Sequence, residues 1–345
     1  MGRIIVGFCM KTPKYFVMLV FDSVDYSCKL ITIKNLASLV FESFICKINP
    51  SIVFMKIVFV GAILFSGCDR NKYIRLERTV SIPAGEFIYE NPLNGEKLTF
   101  QIDALKVDAY EVSLTEFAEF ITETGYVTTA EHLGGSYILS KELALSKLND
   151  GAENWWVFEE GITWRDSFHP DSKDVSKSVY PVTHVSYEDA LAYCSWKGAR
   201  LPYSIEWQYI RQLNGETKKH NTWQGIFPLK NNVLDGHEKT APVKSFDGGK
   251  LGIYNLRGNV WEWCADYYHL LWFEFAKERP LAERLLGSSK SYDPINPHGT
   301  FRVICGGSYL CADNYCQGDQ IGKLHSAEEG MSFEHIGFRC VRDRK

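Results

Sequence analysis

Hydrophobic and polar positions along the chain change period before the pattern dissolves. Glu86-Phe87-Ile88-Tyr89 and Leu98-Thr99-Phe100-Gln101-Ile102 alternate, which predicts two short strands. From Ser113 the period lengthens to that of a helix. Ser113 is an N-cap, Glu116 stands where a capping box needs it, Phe117, Phe120 and Ile121 share one face, and Gly125 ends the run. A second helix starts at Ser186, with Asp189 reaching back to the cap. It carries Ala190, Leu191, Cys194 and Trp196 and closes at Gly198. A third, short helix spans 204–213 with Ile205, Trp207 and Tyr209. Elsewhere the sequence is long, aperiodic and rich in Gly, Asn, Asp and Trp. Such loops inside a compact domain are functional, or are pinned by metals or disulfides.

The N-terminus has a different character. Lys56 precedes a mostly apolar run, Ile57 to Phe65, and Ser66-Gly67 sit directly before Cys68. This is the layout of a bacterial lipoprotein leader at 55–68, with Cys68 as the lipidated residue. A buried strand or short core helix is the alternative, and the run is too short to span a bilayer. Met55 is a plausible start, which leaves 1–54 as a doubtful upstream extension holding Cys9, Cys28, Cys46 and the apolar segment Tyr15–Phe21. Residues 69–80 read as a linker and 81–345 as one domain. Export would put that domain in the cell envelope, facing the periplasm or the outer surface, where disulfides persist. The lipid would be its only membrane attachment.

Composition narrows the function. The 345 residues are 45% apolar and 14% aromatic, enough for one large core or two modest ones. A net charge of −4 without a basic block argues against nucleic acid as a partner. His184 stands alone beside a helix start, with no cluster of zinc or iron spacing, and receives no ligand role.

Six cysteines follow Cys68: Cys194, Cys264, Cys305, Cys311, Cys316 and Cys340. Cys311 and Cys316 would face opposite sides of a regular strand, but Ala312-Asp313-Asn314 contains turn formers that can fold them together. From the residues alone, three readings stand: a disulfide, two unrelated buried thiols, or a pair of soft ligands suited to Cu(I).

Several runs occur in a characteristic order: DAYEVSLTEFAEFITETGY (108–126), NWWVFEEGITWR (154–165), YPVTHVSYEDALAYCSWKGARLPYSIEWQY (180–209), NTWQGIFP (221–228), TAPVKSF (240–246), GIYNLRGNVWEW (252–263), RVICGGSYLC (302–311) and GFRCV (337–341). Together they resemble the sulfatase-modifying, formylglycine-generating enzyme family. The resemblance implies an α+β, C-type-lectin-like fold with little regular secondary structure and long loops pinned by metals and disulfides. It implies a monomer that oxidises a cysteine in a Cys-x-Pro-x-Arg-type motif of an unfolded or nascent sulfatase to Cα-formylglycine. Cys311 and Cys316 would hold Cu(I), with O2 as co-substrate. Ser308 would hydrogen-bond in the oxygen pocket, and Tyr315 and Trp261 would line it; the plain alternatives are a backbone-satisfying serine and core aromatics.

The same resemblance implies two Ca²⁺ sites. One takes the side chains of Asn221 and Asp235 with the carbonyls of Thr222 and His237. The other takes the side chains of Asn255 and Glu262 with the carbonyls of Gly258 and Val260. Asx-turns and surface carboxylates are the competing reading. Cys194 and Cys340 correspond to a family disulfide, with two buried free thiols as the competing reading. A second family disulfide falls on Arg211 and Ile321 here, and Cys264–Cys305 is hypothesised as its replacement.

The chain departs from the family beyond Cys316. No arginine stands between Cys316 and Arg339, Lys323 and His325 are present, and His335 occupies a position where Asn is usual. Asp313, Asp319, Glu328 and Glu329 would favour a basic target. A non-catalytic, lectin-like envelope lipoprotein that binds protein or glycan is the alternative function. A sulfoxide-synthase-like iron oxygenase lacks support, because no His-rich iron domain accompanies the chain.

Overall fold

A computed structural model of the chain describes residues 4–9, 15–21, 28–34, 38–44 and 78–344, apart from residue 93, 147–154 and 168–177. The chain divides into two units, 1–75 and 76–345. In the first, β1 (Ile4–Cys9), β2 (Tyr15–Phe21), β3 (Cys28–Lys34) and β4 (Ser38–Phe44) form an antiparallel sheet in chain order. The leader, Cys68 and most of the expected linker lie outside the described residues.

The second unit begins with β5 (Thr79–Ile82), two residues ahead of the expected boundary at 81. The alternating segments form the hairpin β6 (Gly85–Glu90) and β7 (Lys97–Ile102), in which Phe87 lies opposite Phe100. β5 pairs with β8 (Leu105–Asp108), which also pairs with the C-terminal strand Val341–Asp343. The chain ends of this unit are therefore stitched together.

Helix α1 (Leu114–Thr124) has the expected capping box, with the Ser113 N–H donating to Glu116 at 3.0 Å, and Gly125 ends it at φ 66°. Helix α2 (Tyr187–Trp196) is boxed by Ser186 and Asp189. Its C-cap is Lys197, with Gly198 following at φ 61°, one residue beyond the simple glycine stop. Helix α3 (Ser204–Asn214) is capped at Tyr203, whose N–H donates to Glu206 at 2.8 Å. Trp207, fully buried, anchors α3 in the core.

The sheet that positions the site runs, edge to edge, His325–Glu328, Phe301–Cys305, Trp261–Tyr267 and Ile336–Gly337. Two large apolar clusters flank it, one centred on Phe117, Tyr193 and Phe338, the other on Phe100, Ile205 and Trp207. A smaller aromatic cluster holds Trp155, Phe227 and Tyr309 beside the cysteine loop. The expected mix of short strands, a few helices and extended loops is therefore what the chain builds. No helix among the described residues is long and apolar enough to cross a membrane.

Candidate active site

The turn after Cys311 folds the two cysteines together. Ala312 and Tyr315 exchange N–H···O=C bonds of 3.0 and 2.9 Å, and Cys316 takes a left-handed φ of 72° to re-enter beside Cys311. That conformation is uncommon for a residue with a Cβ, and it persists where surrounding contacts over-determine it. The two thiols are hydrogen-bonded to each other. The Ser308 N–H donates to Cys311 Sγ and the Gly318 N–H to Cys316 Sγ, each at 3.4 Å. Burial pushes the Cys311 thiol well up. The bond from Cys311, with help from the Gly318 N–H, pulls Cys316 below the usual thiol value. Cys316 is thus the readier thiolate.

Both cysteines open onto a cavity of about 410 Å³. Ser308, Trp261 and Tyr315 are among the residues that line it. Ser308 is fully buried and its Oγ accepts from the Leu310 N–H at 3.2 Å, so it satisfies backbone and still carries a hydroxyl hydrogen. Tyr315 stacks on Phe227 at 4.5 Å, and Trp261 meets His325 at 4.9 Å.

The remaining wall escaped sequence reasoning. Trp156, Phe333 and His335 belong to it, and His335 stacks on Trp156 at 4.4 Å. Burial drives the His335 imidazole down to about 3, so it is neutral near pH 7. The only prior signals were the quoted run around Trp156 and the Asn-to-His departure at His335. His184 holds Ser136 Oγ at 2.8 Å, away from the cavity lining, in keeping with a packed structural histidine. Of the acidic residues beyond Cys316, Asp319 pairs with Arg257 and Glu329 with Arg302, each at 2.8 Å. Glu328 lines the cavity and Asp313 is exposed.

Two further cysteine pairs of the second unit are adjacent, Cys194 with Cys340 and Cys264 with Cys305. Cys194 Sγ and Cys340 Sγ are 2.7 Å apart and buried. Cys264 and Cys305 are hydrogen-bonded on neighbouring antiparallel strands, with Cys305 in register opposite Glu262 and so diagonal to Cys264. Direct cross-strand partners stand closer than diagonal ones, so this pair is less well spaced for a disulfide.

Among the described residues no group of three or more His, Cys, Asp or Glu side chains is placed to hold a metal. Among the described residues three buried side-chain oxygens lack a hydrogen-bond partner, Tyr193 Oη, Asp235 Oδ2 and Asn255 Oδ1, and the last two fall one in each expected calcium set. A buried acceptor left unpaired is costly, and a hard cation is a natural partner for it. Asn255 also takes a left-handed φ of 55°. A Cβ on Gly258 would lie 2.0 Å from the Asn221 carbonyl oxygen, so only glycine lets these two segments touch. Asn221 and Thr222 are buried, and Asp235 Oδ1 accepts from the His237 N–H at 3.0 Å. Val260 is buried next to Trp261. Glu262 is already engaged: its carboxylate accepts from Trp207 Nε1 at 2.8 Å and from Arg339 Nε and Nη2 at 2.6 Å each. Nothing local in the sequence marks Arg339 as its partner, 77 residues away.

A family model described as the sulfatase-modifying factor enzyme 1-like domain matches residues 65–344. The formylglycine-generating enzyme of Thermomonospora curvata is 34% identical over 291 residues, 76% of this chain and 93% of that relative. A Bos taurus relative named inactive C-alpha-formylglycine-generating enzyme 2 is 36% identical over 180 residues, 47% of this chain and 60% of its own. Among solved structures, PvdO from Pseudomonas aeruginosa shares the fold at a TM-score of 0.52 and 19% identity, covering 77% of this chain and 94% of that one. With the family model spanning nearly all of the second unit and a full-length relative above thirty per cent identity, the chain belongs to the sulfatase-modifying, formylglycine-generating enzyme family.

Proposed function

We propose that this chain oxidises a cysteine side chain of a sulfatase polypeptide to Cα-formylglycine, with Cu(I) held by Cys311 and Cys316 and O2 as co-substrate. The observation that carries the reading is the convergence of two thiols on one cavity, with Cys316 drawn towards thiolate. Two sulfurs without a third side-chain ligand suit a soft ion of low coordination number. Copper bound there supplies the one-electron chemistry with O2 that thiols lack.

The chain's own groups do the rest. The Ser308 and Gly318 N–H groups steady the two sulfurs. The Ser308 hydroxyl offers a donor beside them. Trp261 and Tyr315, backed by Phe227, exclude water from the reacting methylene. Conversion of CH2–SH to CHO, with sulfur leaving as sulfide and the second oxygen atom as water, consumes two electrons beyond those of the substrate. An external reductant must deliver them.

Calcium completes the reading. Asp235 and Asn221 with the Thr222 and His237 carbonyls, and Asn255 and Glu262 with the Gly258 and Val260 carbonyls, would hold one ion each. The unpartnered oxygens of Asp235 and Asn255 support this. Cys194–Cys340, and with poorer spacing Cys264–Cys305, would be disulfides of an exported, monomeric lipoprotein anchored through Cys68 in the bacterial envelope.

A second reading is a non-catalytic envelope protein that binds protein or glycan. It is favoured by the arginine-free stretch after Cys316 and by His335 in the cavity wall. One experiment separates the two. Protein loaded with Cu(I) is given a Cys-x-Pro-x-Arg peptide in air with a thiol reductant, and the aldehyde is sought by mass spectrometry. Aldehyde formation establishes the oxidase. Absence of both product and stoichiometric copper binding leaves the binding protein.

A further inference from the structure

Two buried side chains outside every expected ligand set, Glu111 and Asn259, join the two candidate calcium sites to each other and to the cysteine loop. Asn259 is fully buried and its amide has one orientation. Oδ1 accepts from the Ala241 N–H at 2.7 Å, so Nδ2 is the donor that reaches Glu111 Oε1 at 2.8 Å. On one side, Asn221 Nδ2 donates to Asn259 Oδ1 at 3.1 Å and to the Lys239 carbonyl at 2.8 Å. Both amide hydrogens of Asn221 are thereby used, which fixes the way round its amide sits. On the other side, Asn255 Nδ2 donates to Glu111 Oε2 at 3.1 Å and to the Val243 carbonyl at 3.3 Å, leaving Oδ1 buried and unpartnered. Glu111 accepts with both oxygens, so it holds Asn255 and Asn259 the same way round. Metal ligands are commonly oriented by such outer partners.

The main chain of these segments then backs the cysteine loop. The Tyr309 N–H donates to the Asn259 carbonyl at 3.0 Å. The Trp223 N–H, next after Thr222, donates to the Cys311 carbonyl at 2.9 Å. The Gly258 N–H donates to the Gly306 carbonyl at 2.9 Å, and Arg257 holds Asp319 at 2.8 Å. Segments that carry calcium oxygens therefore fix the loop both before Cys311 and after Cys316.

We propose that Glu111 and Asn259 are positioning residues that link calcium occupancy to Cu(I) affinity at Cys311 and Cys316. The link rests on the metal assignments proposed above. With both cations bound, segments 221–223 and 255–259 are held, and the Cys311 carbonyl and the Tyr309 N–H stay in place. Without them, the loop loses its backing and the thiols their convergence. The linkage is reciprocal: Cu(I) raises calcium affinity by the same factor that calcium raises Cu(I) affinity.

The test is an anaerobic titration of the full chain against a chromogenic Cu(I) chelator, with and without calcium. Wild-type protein should bind Cu(I) about tenfold more tightly with calcium, within the usual span of linked sites. Glu111→Gln keeps the shape but offers one acceptor where two are needed. Its calcium-dependent gain should fall to about twofold or less, and Asn259→Asp should behave alike. Circular dichroism on each variant separates loss of linkage from loss of fold. If neither variant folds, calcium titration of the wild type with and without Cu(I) reads the same factor from the other side. A wild type that binds both metals with mutually indifferent affinities overturns the linkage and leaves the metal assignments standing. A wild type that binds neither metal overturns both. An unchanged gain in two folded variants overturns the roles of Glu111 and Asn259.

Discussion

Gly318 packs closely against the indole of Trp261: a Cβ at position 318 would stand 2.0 Å from the ring. The same residue donates its N–H to Cys316 Sγ. One small residue thus seats a cavity wall and a candidate ligand together. Gly318→Ala should push the indole off its seat and the N–H off the sulfur. Overpacking of this kind costs about 1–3 kcal/mol. Denaturant unfolding should show that loss, and Cu(I) competition should show weaker binding. A variant as stable and as tight as wild type would mean that the ring gives way freely.

Cys316 owes its lowered pKa first to the hydrogen bond from Cys311. Removing that donor should raise it. In Cys311→Ala, which has no donor at that position, the midpoint of the pH profile for alkylation of Cys316 should therefore move to higher pH. In wild type the Cys316 midpoint should lie below the ordinary thiol value. Mass-spectrometric alkylation kinetics on metal-free protein read both.

The Glu262–Arg339 pair is buried on both sides, at 1% and 0% side-chain exposure. Breaking a buried pair strands a charge and costs about 3–5 kcal/mol. Arg339→Met, measured by denaturant unfolding in a calcium chelator, should lose that much. The chelator keeps calcium out of the reading, which then reports the ion pair together with the Arg339 bonds to the Asp108 and Tyr254 carbonyls.

His335 is held neutral by burial down to about pH 3, against the attraction of Glu334 and with some repulsion from His184. The unfolded chain takes up this proton near pH 6.5, so below that pH it binds more protons than the folded state. Stability from this group is therefore lost as pH falls from about 6.5 towards 3. At pH 5 the loss is about 2 kcal/mol. His335→Asn should gain stability relative to wild type as pH falls, by about that amount. The comparison must be between the two proteins, because buried Asp266 and Glu111, both raised to about 7, titrate in the opposite sense in wild type and variant alike.

Cys194 and Cys340 close a loop of well over a hundred residues. A bond between them should stabilise by up to about 5 kcal/mol in the chain-entropy picture. Oxidised protein should melt several degrees above reduced protein, and Cys340→Ser should abolish the difference. Non-reducing peptide mapping on the same material reads Cys264–Cys305 as well. Two free thiols there would rule out that bridge.

Helices α1 and α2 were legible because a capping box and an amphipathic stripe are local: Ser113 with Glu116 and Ser186 with Asp189 lie within one turn. The β6–β7 hairpin was legible for the same reason, since its partners are close in sequence. The Cys311–Cys316 turn was legible because its formers lie between the cysteines. The network of Glu111, Asn255 and Asn259 was not. Glu111 and Asn259 are 148 residues apart, and no period marks a buried polar group whose partner arrives from another loop. The far wall of the cavity escaped likewise, because Trp156, Phe333 and His335 meet only after the loops between them close. Sequence alone determined the helices, the cysteine turn and, through the order of its motifs, the family. The tertiary structure decided which buried charges pair, which oxygens are left without partners and what encloses the thiols. Those are matters of desolvation and long-range convergence, and neither leaves a local trace in the order of residues.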